Sequence, residues 1–349
     1  MPPTIEKGNA VGFRLLISAL FAAAYAGTSL ANTSEVNVYS ARQPFLIQPI
    51  LEEFTKKTGI RVNTVFDKKG IEERLKIEGR ASPADVILTV DIGRLNRLVE
   101  ADVTQPLMTK TLTTNIPSNF HAPDGSWWAL TSRARVLYVS RERVQEGDIT
   151  SYDDLTSPKW RNKVCTRPGD SDYHVALTAA YLVHNGEKKT RQWLQGIREN
   201  LARRPQGNDR AQVKAVKEGL CDVAIGNSYY MAAMMNDPDQ RPWAEAARIV
   251  FPNQKGTGTH VNVSGMALSR YAPHRENAVK LMEFLSSNDA QRMYADLNNE
   301  YPVKPDVPWS QTVQSWGTFK ADKVNLVEVA MHWNNALRLI NEVNFNATL

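Results

Sequence analysis

Apolar residues recur along this chain in short continuous runs that alternate with longer amphipathic stretches. The runs at 36–40, 62–66 and 85–90 are typical of strands, and the last (DVILTV) is nearly all apolar, as in a strand covered on both faces. Residues 45–58 place apolar side chains on one helical face and end before Gly59. This alternation predicts an α/β fold with parallel strands.

The same alternation continues to the end of the chain. Further strands are predicted at 136–139, 163–166 and 221–226, and further helices at 71–79, after a capping Asp91, and at about 171–183, 212–218, 275–285 and 324–343.

Turn-forming residues cluster around 124–126 and 256–259, and no flexible linker separates the halves of the chain. Two changes of segment without a linker predict a two-lobed, hinged clamshell with its ligand site in the cleft. We expect one lobe to comprise 32–130 and 261–349, and the second lobe to comprise 131–260.

The N-terminus has the pattern of a secretory signal peptide. Lys7 and Arg14 precede an apolar segment at 15–26 that is too short to cross a bilayer comfortably. Ser29-Leu30-Ala31 then offers small residues for a signal peptidase, so we expect removal of 1–31 and a periplasmic protein. A retained membrane anchor is the alternative. No later run is long and apolar enough for a transmembrane helix.

Composition is that of an ordinary globular protein. The 349 residues are too many for one compact core, and 42% are hydrophobic while 23% are charged. The formal net charge of +5 includes the basic start of the chain. The basic doublets Lys56-Lys57, Lys68-Lys69 and Arg203-Arg204 are short and separate, which is typical of solvated surfaces. No nucleic-acid partner is therefore expected.

Cys165 and Cys221 are the two cysteines of the sequence. Each falls in a predicted strand, and an even number of cysteines in an exported protein indicates a candidate disulfide. Closing a loop of this length would contribute roughly 4 kcal/mol through the unfolded state. Two separate buried thiols are the alternative. A zinc site is disfavoured because no histidine lies nearby.

An adjacent pair of tyrosines, Tyr229 and Tyr230, follows an apolar run that ends at Gly226. Asn227 or Ser228 is predicted to cap the next helix, which places both phenols in its first turn. Phenolate oxygen is a hard anionic donor, and it suits a hard trivalent cation better than zinc or copper(I). The alternative for such a pair is two half-buried aromatic side chains of a core.

Tyr173 occupies a similar position, because it follows the predicted strand 163–166 and begins the next helix. The carboxyl ends of strands in α/β sheets line the ligand crevice, so phenols from the two junctions are expected to converge. Partial positive charge at helix N-termini eases phenol ionisation. A phenol with a pKa of about 10 nevertheless needs a strongly polarising cation to lose its proton. Taken alone, Tyr173 fits a packing or surface role equally well.

Guanidinium groups near the same strand ends are candidates for holding an anion. Arg42 and Gln43 follow the first strand, and Arg133 and Arg135 precede residues 136–139. Arginine can bind carboxylate, carbonate or phosphate through two parallel hydrogen bonds. Salt bridges at the rim of the cleft are the alternative for each arginine.

The sequence gives no positive support for enzymatic activity. Its six histidines form no metal-binding motif, and Gly256-Thr257-Gly258 lacks the residues of a phosphate-binding loop. No Gly-x-Ser-x-Gly elbow occurs, and a secreted hydrolase would need a nucleophile and base that the sequence does not pair. We therefore expect a protein that is not an enzyme.

Four segments carry a family resemblance, namely VYSARQP at 38–44, SPADV at 82–86, SRARV at 132–136 and AIGNSYY at 224–230. With these segments the chain resembles the periplasmic ferric-ion-binding proteins of bacterial ABC iron transporters, over nearly all of its length after the signal peptide. The resemblance implies a type II periplasmic-binding fold with two α/β lobes. It also implies Fe³⁺ binding in the cleft and delivery to a membrane permease and its ATPase subunit. We expect a monomer.

The resemblance also implies roles for the tyrosines. Tyr229 and Tyr230 match the iron ligands of the family, and Tyr173 matches the third ligand of its tyrosine-rich branch. Many relatives place His-Tyr or His directly after the first strand, whereas this chain has Gln43-Pro44 there. The implied site therefore combines three phenolates with an exogenous anion such as carbonate.

Arg133 is the first candidate for holding that anion, with Arg42 and Gln43 as helpers across the cleft. The alternative is a binding protein of the same fold for an organic or oxyanion ligand, such as a phosphonate or polyamine. In that case the tyrosines would stack on the ligand or form hydrogen bonds with it.

Overall fold

The computed structural model describes Met1, Thr4 and residues 34–347. The predicted signal peptide at 1–31, with its cleavage after Ala31, therefore lies outside the described residues except at Met1 and Thr4. No helix within 34–347 is both long enough and apolar enough to span a bilayer.

The strands that the structure describes confirm most of the predicted strands within a few residues. They are β1 (Glu35–Ser40), β2 (Arg61–Phe66), β3 (Val86–Thr89), β4 (Thr104–Gln105), β5 (Trp128–Ser140), β6 (Val164–Cys165), β7 (Val223–Asn227), β8 (Ala247–Val250), β9 (Val261–Ser269) and β10 (Tyr301–Pro302).

The helices likewise follow the predicted alternation. They are α1 (Pro44–Thr58), α2 (Ile71–Glu78), α3 (Ile92–Glu100), α4 (Lys110–Asn115), α5 (Asp172–Glu199), α6 (Asp209–Lys217), α7 (Tyr229–Met235), α8 (Arg241–Glu245), α9 (Arg275–Leu285), α10 (Asn288–Asn298), α11 (Gln311–Gln314), α12 (Leu326–Met331) and α13 (Trp333–Glu342), with 3₁₀ turns at Gly79–Ala81, Ser118–Phe120, Asp153–Thr156 and Pro158–Trp160.

Strand order in the sheet is β2-β1-β3-β9-β5-β7-β6, with β4, β8 and β10 at its sides. The pairs β1–β2, β1–β3 and β6–β7 are parallel, as the strand and helix alternation predicts. The strands β5 and β9 are antiparallel to their neighbours.

Strand β5 belongs to two regions of this sheet. Its residues 128–134 pair with β9, and its residues 135–139 pair with β7. We name β2, β1, β3, β9 and the first half of β5 the N-terminal sheet region, and the second half of β5 with β7, β6 and β8 the central sheet region. The predicted lobe boundaries at 130/131 and 260/261 fall within β5 and at the start of β9, and the division into lobes stays a prediction.

Several elements differ from the predicted pattern. Strand β5 is much longer than 136–139, and β9 was not predicted because Asn262, Ser264 and Gly265 interrupt its apolar run although the whole strand is buried. The predicted helix at 324–343 is two helices that meet at His332. Helix α5 continues beyond the predicted end near 183, after an interruption at Gly186 where φ is 74°.

The predicted start of α3 and the predicted end of α1 are both confirmed. The carboxylate of Asp91 accepts a hydrogen bond from the Gly93 N–H at 2.8 Å and caps α3. Gly59 has φ of 72° and ends α1 in the left-handed conformation that glycine adopts without steric cost.

The C-terminal helices α12 and α13 pack against helices that lie far from them along the chain. Helix α12 packs against α3 and α5, and α13 packs against α5. Phe345, just after α13, is fully buried with its ring centroid 4.8 Å from that of His174 on α5. The end of the described chain therefore packs against the first turn of helix α5.

A disulfide joins Cys165 on β6 to Cys221 just before β7, so the predicted pairing is confirmed. Both cysteines are buried, and their separation of 56 residues makes a long closed loop. We expect a Cys165→Ala/Cys221→Ala variant to lose roughly 4 kcal/mol of unfolding free energy, because the unfolded chain regains the entropy of the open loop. Guanidinium unfolding with and without reductant measures this loss. The variant serves as the control, since reductant should leave its midpoint unchanged, and a wild-type midpoint insensitive to reductant would contradict the prediction.

Candidate metal centre

The two adjacent tyrosines begin helix α7 directly after β7. Tyr229 and Tyr230 are its first two residues, and their ring centroids lie 4.3 Å apart. The predicted side-chain cap is wrong: Ser228 already has a helical backbone (φ −52°, ψ −44°), and the Asn227 amide oxygen accepts a hydrogen bond from Arg135 instead. Both phenols nevertheless occupy the first turn, as predicted.

Close packing against the Tyr138 ring holds the junction between β7 and α7 in place. A Cβ atom placed on Gly226 would come within 2.0 Å of the Tyr138 ring, so only glycine fits beside that ring. The Tyr138 hydroxyl donates a hydrogen bond to the Asn227 carbonyl at 2.5 Å, and this bond holds the strand end from which α7 leaves.

Tyr173 converges on the pair from the second residue of α5. Its hydroxyl oxygen lies 3.4 Å from that of Tyr229. All three tyrosines are partly exposed and line one cavity of about 1110 Å³. Oxygens at this spacing, facing one open cavity, can serve as ligands to a single cation.

Burial and mutual repulsion oppose ionisation of the paired phenols. Burial raises the pKa of Tyr229 well above its ordinary value, the phenols of Tyr173 and Tyr230 raise it further, and Arg133 acts against them. Burial also raises the pKa of Tyr230, with Tyr173 and Asp209 adding to the shift and Arg167 opposing it. Both groups therefore hold their protons at neutral pH until a cation replaces them.

Other metal-binding side chains are not gathered in the described part of the chain. Within 34–347, no group of three or more His, Cys, Asp or Glu residues could hold a metal ion. The donors that the structure does bring together in this cavity are phenol oxygens, which favour hard cations.

The predicted anion-binding residues line the same cavity but differ in what they contact. Arg133 is 2% exposed, and it donates to Ser264 Oγ at 2.8 Å and to the Val90 carbonyl, both neutral acceptors. Arg42 is equally buried, but its Nη2 lies 2.5 Å from Glu300 Oε2, which balances its charge. Since no carboxylate accepts a hydrogen bond from Arg133, it is the stronger candidate for an anion.

Gln43 is exposed at the cavity edge, just before α1, and its side chain does not cap that helix. Arg135, the other arginine considered from the sequence, is occupied by an ion pair with buried Asp209 at 2.8 Å. That ion pair makes Arg135 a structural support of the site.

Three guanidinium groups surround the ring of Tyr173. The Cζ atoms of Arg167, Arg133 and Arg135 lie 4.8, 5.6 and 5.9 Å from its centroid. Asp209 holds two of them, since its Oδ1 is 3.4 Å from Arg167 Nη1 and its Oδ2 is 2.8 Å from Arg135 Nη1. All three guanidinium groups lie within cation–π distance of the ring.

Sequence reasoning missed Arg167, Arg210 and the ion pair of Arg94 with Asp172. Arg210 Cζ lies 5.6 Å from the Tyr230 ring centroid. Arg94 on α3 reaches Asp172 on α5 with a shortest N–O distance of 2.7 Å, directly beside Tyr173. Arg167 comes two residues after β6, so the rule that strand ends line the crevice could have found it. The partner of Arg94 lies 78 residues away along the chain and has no sequence signal.

Comparison with known proteins identifies the family. A sequence profile described as bacterial extracellular solute-binding protein matches residues 81–323. The chain belongs to this bacterial extracellular solute-binding protein family. Among the curated members, "Iron uptake protein A1" of Synechocystis is 41% identical over 314 residues, covering 89% of this chain and 87% of that protein.

Solved structures of the solute-binding family show the same fold. A ferric iron-binding protein A of Mannheimia haemolytica in an open conformation is 50% identical, with a TM-score of 0.87 over 90% of this chain and 99% of that one. A Trichodesmium protein in complex with iron and citrate is 38% identical, with a TM-score of 0.86 over 89% and 99% of the two chains. The predicted type II periplasmic-binding fold is therefore confirmed.

A more distant member of the family bears on the alternative ligand. A putative 2-aminoethylphosphonate-binding periplasmic protein of Salmonella typhi is 25% identical over 289 residues, covering 76% of this chain and 79% of that protein. The Synechocystis, Mannheimia and Trichodesmium proteins, at 38–50% identity, are thus more similar to this chain than this protein named for a phosphonate.

Proposed function

We propose that this protein is the substrate-binding component of an ABC transporter, which captures ferric iron in the periplasm and delivers it to an inner-membrane permease with its ATPase subunit. The observation that carries the proposal is the convergence of Tyr173 and Tyr229, with hydroxyl oxygens 3.4 Å apart, beside Tyr230 in one open cavity. Three relatives, one named for iron uptake, one for ferric iron binding and one solved with iron and citrate, are 38–50% identical to this chain. In this role the protein carries its cargo and performs no reaction on it.

Three phenolates would offset the charge of Fe³⁺, and Tyr173, Tyr229 and Tyr230 would each supply one oxygen ligand. An anion such as carbonate would complete the coordination shell from the side of Arg133, where the guanidinium has only neutral partners. Gln43 at the cavity edge and Arg42 would assist across the cleft. The Glu300 ion pair makes Arg42 the weaker helper.

Closure of two lobes about β5 and β9 would bring these groups around the ion. The proposed lobes are 32–130 with 261–349, and 131–260. The chain would pass between them in β5 and at the start of β9, and these two strands pair with each other. Because all three phenols belong to the proposed second lobe, iron could bind before the cleft closes. The closed monomer would then present one surface to the permease.

Loading the purified protein with ferric citrate tests the proposal. We expect a visible tyrosinate-to-iron charge-transfer band and about one iron per chain by elemental analysis, because phenolate ligands transfer charge to Fe³⁺. Iron in thousandfold excess over its Kd should stabilise the fold by about 4 kcal/mol in a thermal or chemical unfolding assay. A colourless, iron-free protein after loading would refute the proposal.

The same unfolding assay separates the alternative ligand class. 2-Aminoethylphosphonate and a polyamine such as spermidine serve as matched ligands, and we expect neither to shift the unfolding transition. Stabilisation by either compound, without stabilisation by ferric citrate, would favour the organic or oxyanion ligand instead.

A further inference from the structure

The ion pair between Arg94 and Asp172 joins two helices that are distant along the chain. Arg94 lies on α3, and Asp172 is the first residue of α5, directly before Tyr173. Two guanidinium nitrogens, Nε and Nη2, donate to Asp172 Oδ2 at 3.0 and 2.7 Å. Both residues line the cavity of the three tyrosines. In the proposed division into lobes, the pair would connect the first lobe to the second.

The guanidinium group of Arg94 is itself held on a second side. Its Nη1 donates to the Lys68 carbonyl at 2.7 Å, so all three of its nitrogens take part in hydrogen bonds. The turn that contains Lys68 is fixed by Asp67, whose Oδ1 accepts from the N–H groups of Lys69 and Gly70 at 2.9 Å each. A planar guanidinium held in this way presents its donors in a set direction.

The first turn of α5 lacks the usual side-chain cap. Ser171 precedes the helix, but its side chain makes no capping hydrogen bond. The N–H groups of His174 and Val175 both donate to the Ser171 carbonyl, so the turn is closed by backbone bonds. Tyr173 belongs to this turn, and its direction depends on what holds the turn from outside. The carboxylate of Asp172, which also suits the positive end of the helix, provides such a contact through its ion pair.

The exposure of the ion pair indicates where its effect should appear. The side chains of Arg94 and Asp172 are 21% and 33% exposed, and ion pairs in contact with solvent contribute little to folding. A group that orients a metal ligand acts differently, because small displacements of the ligand oxygen weaken the bond to the metal. Removal of such groups typically lowers metal affinity by roughly 10–100-fold. The pair should therefore matter more for the tyrosine site than for stability.

We propose that Arg94 is a positioning residue for the iron site, which acts through Asp172 to orient Tyr173. This role rests on the proposed function, because it concerns Tyr173 as an iron ligand. With α5 tied to α3, the Tyr173 hydroxyl stays about as close to the Tyr229 hydroxyl as the observed 3.4 Å, which a shared cation requires. Without the ion pair, the first turn of α5 gains freedom, and iron is held mainly by Tyr229 and Tyr230.

Replacing Arg94 with glutamine tests the proposal. We expect Arg94→Gln to lower ferric affinity by roughly 10–100-fold in chelator competition. The guanidinium unfolding midpoint of the iron-free protein should stay close to that of the wild type. Removing a positive charge near Fe³⁺ would by itself strengthen binding, so weaker binding shows more than a change of charge. Arg97→Gln is the matched control, because it removes the same charge from the same helix and cavity, and it should not weaken binding.

A variant without the Tyr173 hydroxyl shows whether Arg94 acts through that residue. The double variant Arg94→Gln/Tyr173→Phe should bind iron within about threefold of Tyr173→Phe alone, since the ligand that Arg94 orients is already lost. Asp172→Asn should reproduce the loss of Arg94→Gln, and it keeps the test open if Arg94→Gln shows no cooperative unfolding transition. Unchanged affinity in the folded single variants, an equal loss in Arg97→Gln, or a further loss of about tenfold in the double variant would each overturn the proposal.

The ring signal of Tyr173 gives a readout that does not need iron. In a ¹³C-tyrosine spectrum of the iron-free protein, the missing signal of Tyr173→Phe assigns this residue. Arg94→Gln should shift or broaden the Tyr173 signal, and Arg97→Gln should leave it unmoved. An unmoved signal in Arg94→Gln would overturn the positioning role while leaving the iron site intact. A wild-type protein that takes up no iron would instead refute the proposed function, on which this role rests.

Discussion

Replacing Tyr229 or Tyr230 with phenylalanine is expected to lower ferric affinity by roughly 10²–10³-fold and to weaken the charge-transfer band, because one of the three proposed phenolate ligands is lost. A structural zinc site held by four protein ligands is worth about 10–16 kcal/mol, so one ligand of that kind accounts for roughly 2.5–4 kcal/mol. Phenylalanine keeps the ring packing between the pair at 4.3 Å and deletes only the oxygen. Competition with a chelator such as citrate, followed by absorbance, measures the change in affinity.

Tyr271→Phe is the matched control for these variants. Tyr271 is 38% exposed and lies between Arg80 and Arg270, away from the cleft cavity. The Tyr271→Phe variant should bind iron as tightly as the wild type and show the same charge-transfer band. Retention of affinity within about threefold by Tyr173→Phe, Tyr229→Phe and Tyr230→Phe alike would show that the phenols do not hold the ion.

Iron affinity is expected to fall steeply as the pH is lowered. The pKa values of Tyr229 and Tyr230 are raised above their ordinary values, so both phenols are protonated throughout the neutral and acidic range. Coordination uses the phenolates, so binding releases at least two protons, and acid competes with the metal. The apparent affinity should therefore drop by roughly a hundredfold for each unit of pH below neutrality.

Chelator competition between about pH 5.5 and 7.5, corrected for ferric hydrolysis and for protonation of the chelator, measures this slope. Calorimetry in two buffers with different ionisation enthalpies counts the released protons independently. Tyr271→Phe should reproduce the wild-type slope. Release of fewer than one proton per iron would exclude coordination by both paired phenols.

The alternating pattern was enough to predict most of the α/β elements, because buried parallel strands and amphipathic helices leave strong periodic signals. The pattern failed to predict strands in which polar residues occupy buried positions. Strand β9 is entirely buried although Asn262, Ser264 and Gly265 interrupt its apolar run, and half of β5 was missed for a similar reason at Thr131, Ser132 and Arg133. Polar side chains in these buried strands thus interrupt the apolar pattern from which strands are predicted.

The candidate site was predictable to the extent that strand ends define it. Tyr173 and Tyr229 come from separate junctions, and their convergence followed from the rule that strand ends meet at one edge. The partners of the arginines were not predictable in this way. The ion pair that occupies Arg42, for example, is made by Glu300, which is 258 residues from Arg42 along the chain.

The contact between Gly226 and the Tyr138 ring makes the two positions interdependent. Since a methyl group at 226 would overlap the ring, a larger residue there requires a smaller one at 138, and the hydroxyl that anchors the Asn227 carbonyl would then be lost. Among descendants of this chain, the two sites should therefore change together or not at all. Joint substitution at 138 and 226 would mark lineages in which the junction beneath the paired phenols has been rebuilt.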